Sequence, residues 1–179
     1  MANDLWRTPP EVFKALDKEF KFAADMACTD KNKLCAIGYT EQDDSLSFNW
    51  MSKISYLYFD TNQHENRYVW CNPPYSDIKP WVDKAIEAQL NGLGTVMLLN
   101  QDTSVGWFYE ALQYVSEIRF ITGDKKENGS FTGGRLAFID QDGKPAKGNN
   151  KPQFILVFNP FKVGAAVTSY ITRNKVMGY

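Results

Sequence analysis

Short apolar runs of strand length alternate along this chain with segments whose apolar residues recur at helical spacing. The runs at 22–26, 54–59, 67–71, 95–99, 117–122 and 154–158 predict strands. Helices are predicted from residue 8, where Thr8 and Glu11 form a capping-box pattern around two prolines, and at 79–91 and 104–115. The alternation predicts an α/β fold with a mixed, mostly parallel sheet and helices on both faces. We interpret residues 1–179 as a single domain, because this length suits one hydrophobic core.

The strand predicted at 67–71 ends in the sequence Asn72-Pro73-Pro74-Tyr75. Proline lacks a backbone N–H, so the strand must stop there, at the sheet edge where ligands of open α/β folds bind. One chemistry that suits such a turn is methylation of an amine such as the exocyclic amine of adenine. That amine is a poor nucleophile, and hydrogen-bond acceptors aimed at its N–H groups would free its lone pair. The Asn72 side chain and the Pro73 carbonyl can supply two acceptors on a rigid Pro-Pro backbone, while the Tyr75 ring can stack on an extruded base. The alternative is a plain strand-ending turn, since Asn and Pro are common turn residues.

Charge is divided unevenly along the chain. Residues 1–122 carry 11 Lys and Arg against 17 Asp and Glu, a net charge of −6, whereas residues 123–179 carry 9 against 4, a net charge of +5. The loop-rich segment 123–151 contains a short strand-like run at 135–139 and is longer than a simple connection, and long loops in compact domains are often functional. We therefore predict that 123–151 is a DNA-recognition insert, with ordinary variation in surface charge as the alternative. The expected DNA-binding residues are Ser76, Lys125, Lys126, Arg135, Lys144 and Lys147.

Several short motifs occur along the chain in a particular order. They are Thr8-Pro9, Asp25-x-Ala27, Asp44-x-Leu46 followed by Trp50, Asn72-Pro-Pro-Tyr-Ser76 and Gly134-Arg-Leu-x-Phe138. In this order they resemble the phage and bacterial Dam-like DNA N6-adenine methyltransferases. The resemblance implies a Rossmann-like fold that uses S-adenosylmethionine as its methyl donor. It also implies transfer to the N6 amine of an adenine flipped out of double-stranded DNA, with GATC as the expected site.

The resemblance also implies a set of cofactor contacts. Asp25 is expected to hold the methionine amine, Asp30 the ribose hydroxyls and Asp44 the cofactor's adenine amine. The other expected cofactor-binding residues are Thr8, Pro9, Ala27, Leu46 and Asn72. The glycine-rich turn that usually follows the first strand of such a fold is missing, because residues 25–30 contain no glycine. For each acidic residue, a surface carboxylate or a helix cap stays open as the alternative.

Three other functions compete with this one. An Asn-Pro-Pro-Tyr turn also occurs in RNA adenine methyltransferases and protein-glutamine methyltransferases, and a non-enzymatic nucleic-acid-binding module is the third alternative. The order of the motifs over the whole chain favours DNA.

The remaining composition bears on metal, membrane and compartment. The single histidine, His64, lies in a polar stretch and is interpreted as a solvated loop residue, so we expect no metal site. No apolar run approaches the length of a membrane span, and the first residues do not resemble a secretory leader. Three cysteines without a C-x-x-C pair suggest reduced thiols in a cytoplasm, and the resemblance implies that of a bacterium or a phage-infected host.

Overall fold

The computed structural model describes residues 4–55, 67–160 and 162–179, and a six-stranded sheet forms its centre. The strands in chain order are β1 (Phe22–Asp25), β2 (Tyr68–Cys71), β3 (Gly94–Asn100), β4 (Glu117–Thr122), the small hairpin pair β5 (Asp124–Lys125) and β6 (Phe131–Thr132), β7 (Gln153–Phe158) and β8 (Val167–Thr172). The spatial order of the large sheet is β1-β2-β3-β7-β4-β8. Its other strands run in one direction, and β7 runs against both of its neighbours, β3 and β4. The prediction of a mixed, mostly parallel sheet is confirmed.

Helices cover both faces of the sheet, also as predicted. They are α1 (Pro10–Phe20), α2 (Trp50–Ile54), α3 (Lys79–Leu90), α4 (Gly106–Ala111) and α5 (Arg173–Val176). Apolar residues of α2, α3 and α4 pack in one core with Met97 and Leu99, whereas those of α1 and α5 pack in the other with Val96 and Leu98. Successive residues of β3 therefore face opposite cores, as the two-residue period of a strand requires.

The predicted capping role of Thr8 is wrong. Helix α1 begins at Pro10 with Pro9 as its N-cap, so Thr8 lies one residue too far upstream to cap it. The Thr8 side chain is buried, and its Oγ1 has no hydrogen-bond partner among the described residues. A proline at the first helical position is well suited to its place, because the first turn needs no N–H donor there.

Two of the predicted strands and one predicted helix differ from the structure. Ile54 ends α2 instead of starting a strand, and residues 56–59 lie outside the described residues, as does His64. The run 135–139 forms no regular strand, and its pairing consists of bridges from Ile139 to Arg7 and Pro145. The helix predicted at 104–115 is shorter at both ends, Gly106–Ala111, and is followed by a turn in which the N–H groups of Gln113 and Tyr114 bond to carbonyls three residues back.

Strand β8 and helix α5 were not predicted from the sequence. β8 reads Val-Thr-Ser-Tyr-Ile-Thr and is largely exposed at the edge of the sheet, so it lacks the apolar content that marks the central strands. Its position is set by pairing with β4 along the whole strand.

Candidate active site

A cavity of about 470 Å³ opens beyond the carboxyl ends of β1 and β2. Four stretches that are distant in the sequence line it: residues 4–8, the loop after β1, residues 39–46 and the turn after β2. A cavity of this size suits a small-molecule cofactor. Its place matches the edge at which open α/β sheets bind their ligands.

The cavity brings together most of the residues expected to bind a cofactor. Those that line it are Thr8, Asp25, Ala27, Asp44, Leu46 and Asn72. Pro9 is buried at the start of α1, and Asp30 is exposed; neither belongs to the lining. The shared location supports the set as a binding site, and the role of each residue stays a prediction.

Asp25 is the last residue of β1 and has a 2% exposed side chain. One carboxylate oxygen accepts the backbone N–H of Ala27 at 3.2 Å, and the other accepts that of Leu34 at 3.3 Å. Burial raises the pKa of Asp25 to about 6, and the two hydrogen bonds oppose this effect without cancelling it. The side chain thus holds the loop after β1 closed while its carboxylate borders the cavity.

A glycine further along the chain lets a second segment pack closely against the loop after β1. Gly38 forms a parallel bridge with Asp25, and the N–H of Tyr39 donates to the Asp25 carbonyl at 2.8 Å. A Cβ atom at Gly38 would lie 2.6 Å from Cys28 Sγ, which is too close for any other residue type. The backbone at Gly38 therefore lies close to Asp25, and the local sequence at 25–30 gives no sign of this pairing.

The segment that carries Asp44 and Leu46 is held against the loop after β1. Asp44 has a positive φ of 46°, a conformation that Asp tolerates better than most residues. Next to it, the Ser45 hydroxyl donates to the Met26 carbonyl at 2.7 Å, and the Trp50 indole donates to the Ser45 carbonyl at 2.7 Å. These bonds fix Ser45, the residue directly after Asp44, beside the cavity.

The turn after β2 places Asn72 and Pro74 on the cavity wall, with Pro73 buried between them. The Tyr75 hydroxyl lies 3.0 Å from Asn72 Oδ1 and 3.2 Å from the Leu98 carbonyl, so its one proton is donated to one of these acceptors at a time. Burial raises the pKa of Tyr75, which keeps the hydroxyl protonated. Its ring meets Phe138 edge-on, with centroids 6.1 Å apart. Stacking of Tyr75 on a flipped base stays a prediction.

The six predicted DNA-binding residues are all exposed: Ser76, Lys125, Lys126, Arg135, Lys144 and Lys147. Arg135 precedes two buried anchors, Leu136 and Phe138. The Leu136 N–H donates to Gln153 Oε1 at 3.1 Å, and the Asn149 side chain donates to the Leu136 carbonyl at 2.9 Å. This part of 123–151 is therefore packed onto the sheet, with Arg135 presented beside the anchored stretch.

Sequence reasoning also missed residues 4–7, which cross the site. The Asp4 carboxylate accepts the backbone N–H of Ser76 at 3.0 Å. Arg7 and Ile139 exchange two backbone hydrogen bonds of 2.8 and 3.0 Å, and Trp6 stacks on Phe138. The segment links the turn after β2 to the predicted DNA-reading stretch. These residues form no recognisable sequence motif, so their place at the site could not be predicted.

The described residues contain no cluster of His, Cys, Asp and Glu arranged to hold a metal ion. Among the helices of the described chain, none combines the length and apolarity needed to cross a bilayer. Cys28, Cys35 and Cys71 form no disulfide bond.

A mostly parallel α/β sheet with a cofactor-sized cavity beside a polar strand-end turn defines the general class of an α/β ligand-binding enzyme. A family model described as DNA N-6-adenine-methyltransferase (Dam) matches residues 1–178. The DNA N-6-adenine-methyltransferase of Escherichia phage T1 is 37% identical over 169 residues, which cover 91% of this chain and 66% of the phage protein. The protein of the same name from Haemophilus phage HP1 (strain HP1c1) is 31% identical over 179 residues, covering 97% of this chain and 90% of that protein. The chain therefore belongs to the DNA N-6-adenine-methyltransferase (Dam) family.

Proposed function

We propose that the protein transfers a methyl group from S-adenosylmethionine to the N6 amine of adenine in double-stranded DNA, at GATC sites. The observation that carries the proposal is the single cavity that joins the carboxylates of Asp25 and Asp44 to the Asn72 turn. The side of the cavity with the two carboxylates suits the cofactor, and the side with the Asn72 turn suits the target amine. Family membership favours DNA adenine over the RNA and protein-glutamine alternatives.

The residues present fit this cofactor. Asp25 offers a carboxylate to an ammonium group, and Asp44 offers one to an aromatic amine beside the apolar Leu46. Thr8 Oγ1 is a buried polar atom that lacks a hydrogen-bond partner among the described residues and borders the same cavity. Buried polar atoms are nearly always satisfied, so a bound polar ligand accounts for Thr8. These contacts belong to a Rossmann-like S-adenosylmethionine site in our proposal.

The cofactor supplies a sulfonium methyl group when bound, and the protein's task is to make the adenine amine nucleophilic. Asn72 Oδ1 and the Pro73 carbonyl accept the two N–H groups of the amine, which releases its lone pair from the ring. The Tyr75 hydroxyl can donate to Asn72 Oδ1 and leaves that oxygen a second lone pair for the amine. This hydrogen bond selects the Asn72 orientation that presents oxygen to the substrate. Such preorganised acceptors stabilise the positive charge that develops on nitrogen.

Substrate binding completes the proposal. The target adenine is flipped into the half of the cavity beside Asn72, because its amine is inaccessible to the site within the duplex. The segment 123–151 reads the duplex, with Arg135 on a base edge and Lys125, Lys126, Lys144 and Lys147 on phosphates. The free thiols support action in the reducing cytoplasm of a bacterial or phage-infected cell.

The decisive experiment compares Asn72→Ala with the wild type in single-turnover methyl transfer to a GATC duplex. Loss of one preorganised polar contact should slow transfer by at least about a hundredfold, with binding of S-adenosylhomocysteine largely kept. Asn91→Ala, at an exposed position after α3, is the matched control and should transfer normally. Near-normal methyl transfer by a folded Asn72→Ala protein would show that Asn72 does not take part in the reaction.

A second experiment identifies the target sequence. Methylated DNA is digested with restriction enzymes that differ in sensitivity to GATC methylation. Protection at other sequences and not at GATC would refute GATC as the target.

A further inference from the structure

A base turned out of the duplex needs aromatic or apolar surfaces beside it, and Tyr75 is already engaged. Its hydroxyl lies at Asn72 and Leu98, and its ring edge meets Phe138. A flat base has two faces, so a stacking role for Tyr75 leaves at least one face to another side chain. Tyr75 does not belong to the cavity lining, which offers four aromatic residues as candidates: Trp6, Tyr39, Trp70 and Trp81.

The sheet separates these candidates. Along β2, Val69 and Cys71 pack in one core and Trp70 packs in the other with Phe138, and the Tyr75 ring of the turn after β2 meets Phe138 on the Trp70 side. Trp6 packs on that same side, whereas Tyr39 and Trp81 pack against the opposite core. Trp70 is on the correct side but only 1% exposed, so it has almost no surface to offer.

Trp6 is half-buried and held in place from several directions. One face of its indole stacks on Phe138, with ring centroids 5.8 Å apart and planes at 22°. On either side of it along the chain, Asp4 binds the Ser76 N–H and Arg7 pairs with Ile139. The side chain also borders the cavity together with Asn72 and Pro74. A rigid aromatic wall of this kind stacks a ligand at little cost in conformational entropy.

We propose that Trp6 is the aromatic platform on which the flipped target adenine stacks, opposite the acceptors of the Asn72 turn. This inference rests on the proposed function and adds a substrate-binding residue to it. Phe138 then acts as a positioning residue, because it supports the face of Trp6 that is turned away from the base. Trp6 stacks on Phe138, which lies three residues after Arg135, so base stacking and sequence reading are joined through residues 135–139.

The test is a binding cycle with two duplexes that differ only at one GATC site, measured with S-adenosylhomocysteine present. One duplex contains the target adenine on each strand and the other has an abasic site in place of each. Trp6→Ala should weaken binding of the adenine duplex about ten- to a hundredfold, the range expected for one base stacked on an aromatic ring. On the abasic duplex, Trp6→Ala and the wild type should bind within about twofold of each other, because there is no base to stack. Trp6→Phe should recover most of the lost affinity.

Two further measurements separate this role from others. Tyr109→Ala removes an exposed aromatic side chain outside the cavity lining and should leave both affinities unchanged. Calorimetric affinity for S-adenosylhomocysteine should be unchanged in Trp6→Ala. Any of three results would overturn the platform role of Trp6. They are an equal loss of affinity for the abasic duplex in Trp6→Ala, a loss of its cofactor affinity, and no recovery of duplex affinity in Trp6→Phe. Absence of methyl transfer to DNA by the wild-type protein would instead refute the proposed function itself, and the platform with it.

Discussion

We expect Asp25 to make cofactor affinity depend on pH, because its burial raises its pKa. Its carboxylate is 2% exposed and has a pKa of about 6, against an ordinary value of 3.8. If the ionised carboxylate holds the cofactor's ammonium group, affinity is nearly complete above pH 7 and is lost as the pH falls through about 6. The ammonium group stays charged throughout this range, so the titration belongs to the protein.

The magnitude follows from the raised pKa. At pH 5 about one Asp25 in ten remains ionised, so the dissociation constant of S-adenosylhomocysteine should rise about tenfold relative to its value above pH 7. The same shift corresponds to about 3 kcal/mol that the ionised carboxylate costs the folded state at neutral pH. The sign for stability is the opposite of that for binding. The favourable contribution of Asp25 to folding is complete below its unfolded pKa of 3.8 and is lost as the pH rises through about 6.

Isothermal titration calorimetry between pH 5 and 7.5 measures this effect directly. Asp25→Asn should bind S-adenosylhomocysteine about ten- to a hundredfold more weakly at pH 7.5, because a hydrogen bond to a charged group is lost, and its affinity should not vary with pH. Asp124→Asn is the control, since Asp124 is a buried carboxylate outside the cavity lining whose partner is the Asn174 N–H. Wild-type affinity that is flat across this range, or an unchanged pH dependence in Asp25→Asn, would refute the assignment.

Two other predictions concern the cofactor contact of Asp44 and the DNA contacts of segment 123–151. Asp44→Ala should reduce the rise in melting temperature that S-adenosylmethionine produces, because a ligand stabilises the native state in proportion to its affinity, and an unchanged rise would contradict the contact. Arg135→Ala should cost about 1–3 kcal/mol on the target duplex and relax specificity at one base pair, whereas a Lys125→Ala/Lys126→Ala double variant should weaken target and scrambled duplexes alike and flatten the salt dependence. Wild-type affinity and salt dependence in both variants would show that this segment does not contact DNA.

The parts of the fold that could be predicted are those with a strong local pattern. Strands β2, β3 and β7 consist mostly of apolar residues and are almost entirely buried, and prolines mark where β2 stops. The position of Asn72 at a strand end follows from the same pattern. Strand β8 could not be predicted, because it is mostly exposed and its position depends on pairing with β4.

The predicted site residues show the same division. Asp25 could be placed after the first strand, but the glycine that lets the chain approach it lies at position 38, and nothing in the local sequence ties the two together. Thr8 and Glu11 fit the pattern of a capping box, yet the helix starts after Pro9 and leaves Thr8 facing the cavity. A short motif identifies the residue types present and leaves their partners open.

The sequence by itself determined the alternation of strands and helices and the polar turn at the end of β2, because periodicity and proline act over a few neighbouring residues. Only the tertiary structure decided that residues 4–8, the loop after β1, residues 39–46 and the Asn72 turn share one cavity. It also decided the raised pKa of Asp25 and the stacking of Trp6 on Phe138. These properties arise from burial and contact between segments far apart in the chain, and such packing has no local signature.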